Sequence, residues 1–432
     1  MNSIFQFHLE WEAVPGSRLD ENRATWARLA LYVDDQPITR VLDLRSRGYR
    51  DHILVPLYPL TEWLVTHWWL LFYEPQAAGR SGYNQRHNLR FGREGYAFPD
   101  LVISPLGQSV SLEWGPPASE LWRVSFHAGG RSVVERGQLE EELTQLVEAV
   151  TARLEQQGIT ESLLQHEWAA LQEADQEERE FCVAAAQLGQ DPYRLSPETA
   201  NLIEAAGRDV PRAWQDEFFS AADITRLASD VEYTMTALAV IREQARCLSG
   251  RLPEWRVRSA KSDCRGQTPW QQGYEMARWL RLETGIGHDP LPADESLALL
   301  LGVDELPILD TGRFPEGRWL DALVDASKQD RAGFVTTARR PENRRFAFCR
   351  ALFEYLTAVN TPSALVTTAR TERQKRNRAF AAELLAPAAW LRQRFPGEFI
   401  GVDDLGDASD ELGVSSEVIH YQLQNHRIAE IV

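Results

Sequence analysis

Apolar residues recur at helical spacing in two neighbouring stretches near the C-terminal end of the chain. The apolar positions are Phe346, Cys349, Leu352, Phe353 and Leu356 in the first stretch and Phe380, Leu384 and Leu385 in the second. Spacing of three and four residues predicts one buried face of an α-helix, and Pro387 is a helix stop signal. We therefore expect two helices that pack as neighbours, joined by a connector of roughly fifteen residues.

The first 137 residues carry the alternation of apolar and polar positions that is typical of strands. Turn signals predict three hairpins, formed by residues 24–33 with 38–44, 101–104 with 110–114, and 122–127 with 132–136. Residues 59–73 instead have helical spacing. We expect Trp63, Trp68 and Trp69 of this helix in the core rather than in a ligand-stacking surface. The polar segment 85–89 is expected to be a plain loop, with a recognition loop as the alternative.

Residues 138–250 are predicted to form an all-α module with an acidic surface, and 251–268 a linker. Beyond the linker, an amphipathic helix begins at Pro269 and a short helix ends at Gly302. Short apolar stretches at 307–310, 319–324 and 333–337 predict a small sheet ahead of the helix pair. Residues 401–432 are expected to form a helix–turn–helix-like tail, whose acidic side chains oppose contact with phosphate.

The chain from residue 269 onward resembles the ImmA/IrrE-type zinc metallopeptidases. The resemblance rests on this order of elements, on Arg345-Phe346 in the first helix and on the sequence FAAELLAP at 380–387. It implies a zincin-like (IrrE-like) domain at 269–400 that contains the small sheet and precedes the helical tail. The predicted fold class is therefore α+β and multidomain, with a β-hairpin-rich sheet domain, a central all-α module and a C-terminal zincin-like domain.

The residues that would bind zinc in such a domain are replaced in this sequence. A zincin needs two histidines one helical turn apart, a glutamate beside the first and a third ligand. The corresponding positions hold Arg350, Ala351 and Glu354, and Arg376 stands at the third-ligand position. A guanidinium has no lone pair to donate, and its charge repels a dication. We therefore expect a pseudo-metallopeptidase without catalytic residues, metal or cofactor.

Charge and cysteine content narrow the possible partners and location. A net charge of −17 over 432 residues disfavours a protein that coats nucleic acid or an anionic membrane. The N-terminus lacks a signal-peptide pattern, and the most apolar run, 64–73, is too short to span a bilayer. The cysteines, at 182, 247, 264 and 349, lack metal or disulfide spacing. A cytoplasmic protein without a membrane partner is expected.

Basic residues nevertheless concentrate around the helix pair, and we call them the basic island. Its candidate polyanion-binding or ion-pairing members are Arg344, Arg345, Arg350, Arg370, Arg373, Lys375, Arg376 and Arg378, with Arg339 and Arg340 at its edge. Arginines bind phosphates and carboxylates through a planar fork. The competing interpretation is internal pairing with neighbouring acids, in particular an Arg376–Glu354 ion pair across the vacated zinc position.

These observations favour a catalytically inactive regulatory or scaffold protein that acts through protein–protein interaction. Because active members of the resembled family cleave repressors in mobile-element, stress and anti-phage circuits, the resemblance implies a role in a bacterial defence or mobile-element system. The alternative is a nucleic-acid-binding module that uses the basic island at 339–378. A third class, an enzyme with its site in the N-terminal half, lacks any supporting motif there.

Overall fold

Helices and several small sheets alternate along the chain, which confirms the mixed α+β class. The computed structural model describes residues 3–13, 19–77, 82–117, 123–244, 255, 268–306, 308–309, 319–328, 331–357, 363–397 and 399–431. The described residues form two compact units, one ending at Ile203 and the other beginning at Glu204. Within these residues, no helix combines the length and apolar character needed to cross a membrane.

The strands of the first unit form small antiparallel sheets. They are β1 (Phe5–Trp11), β2 (Trp26–Val33), β3 (Gln36–Pro37), β4 (Val41–Asp43), β5 (Tyr49–Arg50), β6 (Ile53–Pro56), β7 (Asp100–Leu106), β8 (Ser109–Gly115), β9 (Val124–Phe126) and β10 (Gly130–Glu135). One sheet has the order β1-β2-β3, with β6 also paired to β2, and the others have the orders β10-β8-β7 and β5-β4-β9.

The predicted hairpins are only partly correct. Residues 101–104 and 110–114 do pair, as parts of β7 and β8. The hairpin of 122–127 with 132–136 is wrong, because β9 pairs with β4 and β10 pairs with β8. In that arrangement Val134 lies opposite Val110 and both are fully buried, which an isolated hairpin would not achieve. The hairpin of 24–33 with 38–44 is also wrong, since β4 leaves β2 for another sheet.

Some helices of the first unit pack on these sheets and others pack on neighbouring helices. They are α1 (Asp20–Ala24), α2 (Tyr58–Thr66), α3 (Trp68–Tyr73), α4 (Tyr83–His87), α5 (Arg136–Gln156), α6 (Leu163–Glu173) and α7 (Gln176–Gln187), followed by α8 (Pro197–Asp209) at the boundary between the units. The predicted helix at 59–73 is broken at His67, which closes α2. Trp68 and Trp69 are buried in the core as predicted, and Trp63 packs against that core but is only partly buried.

The predicted loop at 85–89 is mostly helical, and His87, Asn88 and Leu89 are buried while Gln85 is exposed. The plain loop that we expected is therefore not what the structure contains. Arg86 donates to the buried Glu74, with Nε 2.8 Å from Oε2. His87 is also fully buried, and its Nδ1 lies 2.7 Å from the carbonyl oxygen of Ile103. The polar residues Arg86 and His87 therefore belong to a buried hydrogen-bond network.

From residue 269 onward, most helices and strands of the second unit contribute to one hydrophobic core. The helices are α9 (Arg212–Ala221), α10 (Leu227–Gln244), α11 (Pro269–Glu283), α12 (Asp294–Leu301), α13 (Pro341–Thr357), α14 (Glu372–Leu385), α15 (Ala388–Arg394), α16 (Val402–Leu412) and α17 (Ser416–Asn425). The strands are β11 (Ile308–Leu309), β12 (Leu320–Lys328), β13 (Arg331–Thr336), β14 (Ser363–Thr367), β15 (Phe399–Ile400) and β16 (Glu430–Ile431).

The predicted all-α module at 138–250 does not stand as a separate body. The apolar stripe of α5 packs into the same core as the N-terminal sheets, because a helix with one apolar face needs a surface to cover it. Helices α9 and α10 instead belong to the second unit. Of the predicted linker at 251–268, only Trp255 and Thr268 lie among the described residues.

The sheet of the second unit has the order β11-β13-β12-β14, so β14 lies at its edge in the described structure. Three of these strands fall where the sequence predicts them. The fourth, β14, lies in the predicted connector between the two helices, and all of its residues are buried. Ala364, Leu365 and Val366 form a short apolar run. The turn residues on either side of it led us to predict a connector there instead of a strand. The remainder of the connector, 358–362, lies outside the described residues.

The C-terminal tail consists of two helices with a short turn between them, as predicted. The turn contains Gly413 at φ 60°. Leu412, Ile419 and Leu423 are buried in the core of the second unit, so the tail is an integral part of that unit.

Candidate functional site

Helices α13 and α14 carry the predicted zinc-ligand positions and face each other. Arg350 and Glu354 lie one turn apart on α13, so their side chains share one face. Arg373 and Asn377 have the same spacing on α14. Thr371 caps the N-terminus of α14 and fixes the start of that helix. These four side chains meet between the two helices. Together with Gln374, Glu217 and Asp321 they form a group that we call the Arg350–Glu354 cluster.

Asn377 links the two predicted zinc-ligand positions directly. Its Oδ1 accepts a hydrogen bond from Arg350 Nε at 2.8 Å, and its Nδ2 donates to Glu354 Oε1 at 2.9 Å. Asn377 is fully buried and Arg350 and Glu354 are 3% and 2% exposed. A neutral amide thus lies between the cation and the carboxylate where a zinc site would require converging lone pairs.

A second arginine binds the other oxygen of Glu354. Arg373 Nε lies 3.0 Å and Nη2 2.9 Å from Glu354 Oε2. Arg373 Nη1 also donates to Glu217 Oε1 at 2.6 Å. Glu217 comes from α9, more than a hundred residues earlier in the chain, so the cluster joins three helices of the second unit.

The cluster also closes the outer edge of β14. The Leu365 N–H donates to Glu217 Oε2 at 3.1 Å, and its carbonyl accepts from Gln374 Nε2 at 3.0 Å. The Thr367 N–H donates to Gln374 Oε1 at 3.0 Å, and the Thr367 carbonyl accepts from Arg350 Nη2 at 2.7 Å. An edge strand with free backbone groups can bind a further strand. Here side chains of the same chain take those groups.

The charged groups of the cluster are all paired, with the guanidiniums of Arg350 and Arg373 bound to the carboxylates of Asp321, Glu217 and Glu354. Burial alone would raise the pKa of Glu354, but the charges of Arg373 and Arg376 and the bond from Asn377 hold it below its usual value. Burial raises the pKa of Glu217 in spite of the pairing with Arg373. Arg350 is also bonded to Asp321 and keeps its proton, as arginine does in proteins. Glu354 therefore has neither the solvent access nor the raised pKa expected of a general base.

Most other members of the basic island are bound within the second unit. Arg344 Nη2 lies 3.0 Å from Asp294 Oδ2, and Lys375 pairs with Glu372. Arg345 donates to the carbonyls of Pro292 and Gly413, and Arg378 to those of Thr367 and Ala369. Arg340 and Arg370 are exposed.

The predicted Arg376–Glu354 ion pair needs correction. The ion pair that the structure gives to Glu354 is with Arg373, one turn earlier on α14. The Arg376 guanidinium lies over the ring of Phe353, 5.2 Å from its centroid, and affects Glu354 through its charge. Ala351, the remaining zinc-site position, is fully buried in the core.

Sequence reasoning missed Asn377, Gln374, Glu217 and Asp321. Asn377 and Gln374 lie in the same motif as Arg373, and their spacing could have placed them on the face that meets α13. Glu217 and Asp321 gave no such signal, because only tertiary packing brings α9 and β12 to this position. Among the described residues, no group of three or more histidine, cysteine or acidic side chains is arranged to hold a metal ion.

Comparison of the sequence with models of known protein families gave no match. A search among curated proteins likewise gave no significant match.

Proposed function

We propose that this protein is a catalytically inactive, IrrE-like regulatory or scaffold protein that acts by binding another protein. The proposal of an IrrE-like protein rests on the resemblance of residues 269–400 to a zincin-like domain. The proposal of inactivity rests on the replacement of the zinc-ligand positions. A role in a bacterial defence or mobile-element system follows from the same resemblance.

The observation that carries the proposal is the occupation of the would-be zinc site by the Arg350–Glu354 cluster. Glu354 offers one oxygen to Asn377 and the other to Arg373. Arg350 binds Asn377, Gln374 and the Thr367 carbonyl through separate hydrogen bonds. A buried polar network in which each such group already has a partner is rigid. It therefore suits a structural role better than hydrolysis, which needs an activated water.

The glutamate of the sequence FAAELLAP supports the same view. Glu383 is buried, and it accepts hydrogen bonds from Arg278 Nε and Gln422 Nε2, both at 2.9 Å. It joins α14 to α11 and α17. The part of the chain with the strongest family resemblance therefore holds the second unit together.

Binding of nucleic acid through the basic island is the alternative function. It is less favoured because Arg344, Arg350, Arg373 and Lys375 already pair with carboxylates. Their charge is then not available to replace counterions on a phosphate backbone. The exposed faces of α16 and α17 add acidic side chains, which repel phosphate.

Purification of the untagged protein from its own organism, with and without nuclease, tests the proposal. We expect a protein partner in fixed stoichiometry that remains bound after nuclease treatment. Recovery of nucleic acid instead, with affinity that falls steeply as salt is raised, would favour the alternative.

A further inference from the structure

A cavity of about 510 Å³ lies beside the C-terminal end of α11 in the second unit. Leu282, Pro387 and Ala389 supply the apolar part of its wall, and Arg278, Arg281 and Arg392 supply positive charge. Its volume falls within the range of small-ligand pockets. The cavity is separate from the Arg350–Glu354 cluster, and the inference drawn from it does not rest on the proposed function.

Arg281 is a buried cation without a carboxylate partner among the described residues. It is 2% exposed, and its guanidinium donates to the backbone carbonyls of Gly287, Leu384 and Asp289. Burial lowers the pKa of Arg281 to about 10. The charges of Glu383 and Asp289 favour the ionised form of Arg281. Within the described structure, the three bonds leave two of the five N–H groups of the guanidinium unused.

The carboxylate in the cavity wall is bonded to other donors rather than to Arg281. Glu383 already accepts from Arg278, Gln422 and the Ala388 N–H. Arg392 is exposed and has no ion pair in the described part of the chain. The wall therefore carries two guanidiniums, those of Arg281 and Arg392, beyond what its own acid neutralises.

We propose that this cavity binds a monocarboxylate carried on a compact apolar group. Guanidiniums match the geometry of a carboxylate through paired N–H donors. The apolar wall suits the rest of such a ligand, and the negative charge of Glu383 disfavours a dianion. Two sources share this chemistry, the C-terminal residue of a polypeptide and a free small organic acid.

Titration of the full-length protein, observed through the NMR signals of the ligand, tests the proposal. The probes are N-acetyl-alanyl-leucine, its C-terminal amide, hexanoate and inorganic phosphate. We expect a carboxylate probe to bind with a Kd of about 1 mM, as for small and weakly bound ligands. The amide should bind at least about tenfold more weakly, because a hydrogen bond to a charged group is among the stronger ones. Tighter binding of the dipeptide points to a chain terminus, and tighter binding of hexanoate to a free acid.

A matched pair of variants locates the binding site. Arg392→Gln should weaken binding of the carboxylate about tenfold. Arg394→Gln is the control, because Arg394 lies on the same helix, pairs with Glu411 at 3.3 Å and does not line the cavity. It should change the affinity less than about twofold. Arg281→Gln is avoided because it removes the bonds that hold residues 287–289.

Several results would overturn the inference. The first is equal affinity for the dipeptide and its amide, and the second is an equal effect of the two arginine variants. The third is phosphate that binds as well as the tighter of the two carboxylates, and the fourth is no binding of either carboxylate at about 10 mM, tenfold above the expected Kd.

Discussion

Arg373 donates two hydrogen bonds to Glu354, from Nε at 3.0 Å and from Nη2 at 2.9 Å. Its remaining terminal nitrogen reaches Glu217 Oε1 at 2.6 Å. One guanidinium thus bridges two buried carboxylates, Glu354 of α13 and Glu217 of α9. Because both carboxylates are buried, we expect the stability of the folded protein to depend on this cation.

Arg373→Gln should lower the free energy of unfolding by roughly 3–5 kcal/mol, the cost of leaving a buried charge without its partner. Denaturant unfolding of the full chain measures the change. Lys375→Gln is the control, because Lys375 pairs with Glu372 on the same helix but its side chain is 43% exposed. Such a pair contributes about 1 kcal/mol or less. Equal effects of the two substitutions would show that the cluster does not stabilise the fold.

Gly273→Ala should destabilise the protein although alanine usually favours a helix. Gly273 lies on α11, and a Cβ there would come 2.9 Å from the Phe380 nitrogen on α14 and closer still to the Arg376 carbonyl oxygen. Overpacking against backbone costs about 1–3 kcal/mol. Gly406→Ala on α16 is the control, since a Cβ there would have no described atom within 4 Å, and it should stabilise by roughly 0.5–1 kcal/mol. Thermal melts that shift in the same direction for both variants would contradict the close approach of α11 and α14.

Glu74 should make the first unit sensitive to acid. Burial opposes ionisation of this fully buried carboxylate, but bonds from Arg86 and His87 lower its pKa from 4.5 to about 2. Since the folded pKa is below the unfolded one, the contribution is present above pH 4.5 and is lost as the pH falls towards 2. The difference corresponds to roughly 3 kcal/mol.

Melting temperatures of parent and Glu74→Gln, followed from neutral to acidic pH, check this expectation. The variant should be less stable at neutral pH and lose less stability on acidification. Glu113→Gln serves as the control, because Glu113 is 58% exposed and pairs with Arg131 at the surface. Parallel acid profiles for the parent and Glu74→Gln would contradict the assignment.

The exposed arginines of the basic island should not bind nucleic acid, so replacing them should leave nucleic-acid affinity unchanged. Arg340 and Arg370 are exposed members of the basic island that form no ion pair with any described residue. If the island bound a polyanion, Arg340→Gln with Arg370→Gln would reduce the slope of log affinity against log salt by about 0.9 for each phosphate of duplex DNA that is no longer neutralised. We expect instead no measurable affinity in the parent and no change in the double variant.

The sequence was most informative where periodicity and burial coincide. The helix pair, the hairpin of β7 and β8, and the buried Trp68 and Trp69 follow from patterns of apolar residues that local physics can interpret. Strand β14 was missed because its short apolar run, between turn-forming residues, has no period of its own. The predicted hairpin at 122–136 failed because strand pairing is chosen by tertiary burial rather than by the nearest turn.

The candidate site could be predicted only in part for the same reason. The positions that we propose to correspond to zinc ligands can be read from the sequence, and internal pairing of the arginines was one of two interpretations. Glu354 pairs with Arg373 rather than with Arg376 because of the rotation of α14 about its axis. The two arginines are about one helical turn apart, and the sequence does not show which of them faces Glu354. Glu217 enters from α9 through packing alone.

The zinc content of the full-length protein, purified without chelator and dialysed, tests the central claim most directly. The positions that would bind the metal are occupied by Arg350 and by Glu354 bonded to Asn377 and Arg373. We therefore expect well under one zinc per chain and a melting temperature that a chelator leaves unchanged. About one zinc per chain that resists dialysis and is lost in Glu354→Gln would contradict the account.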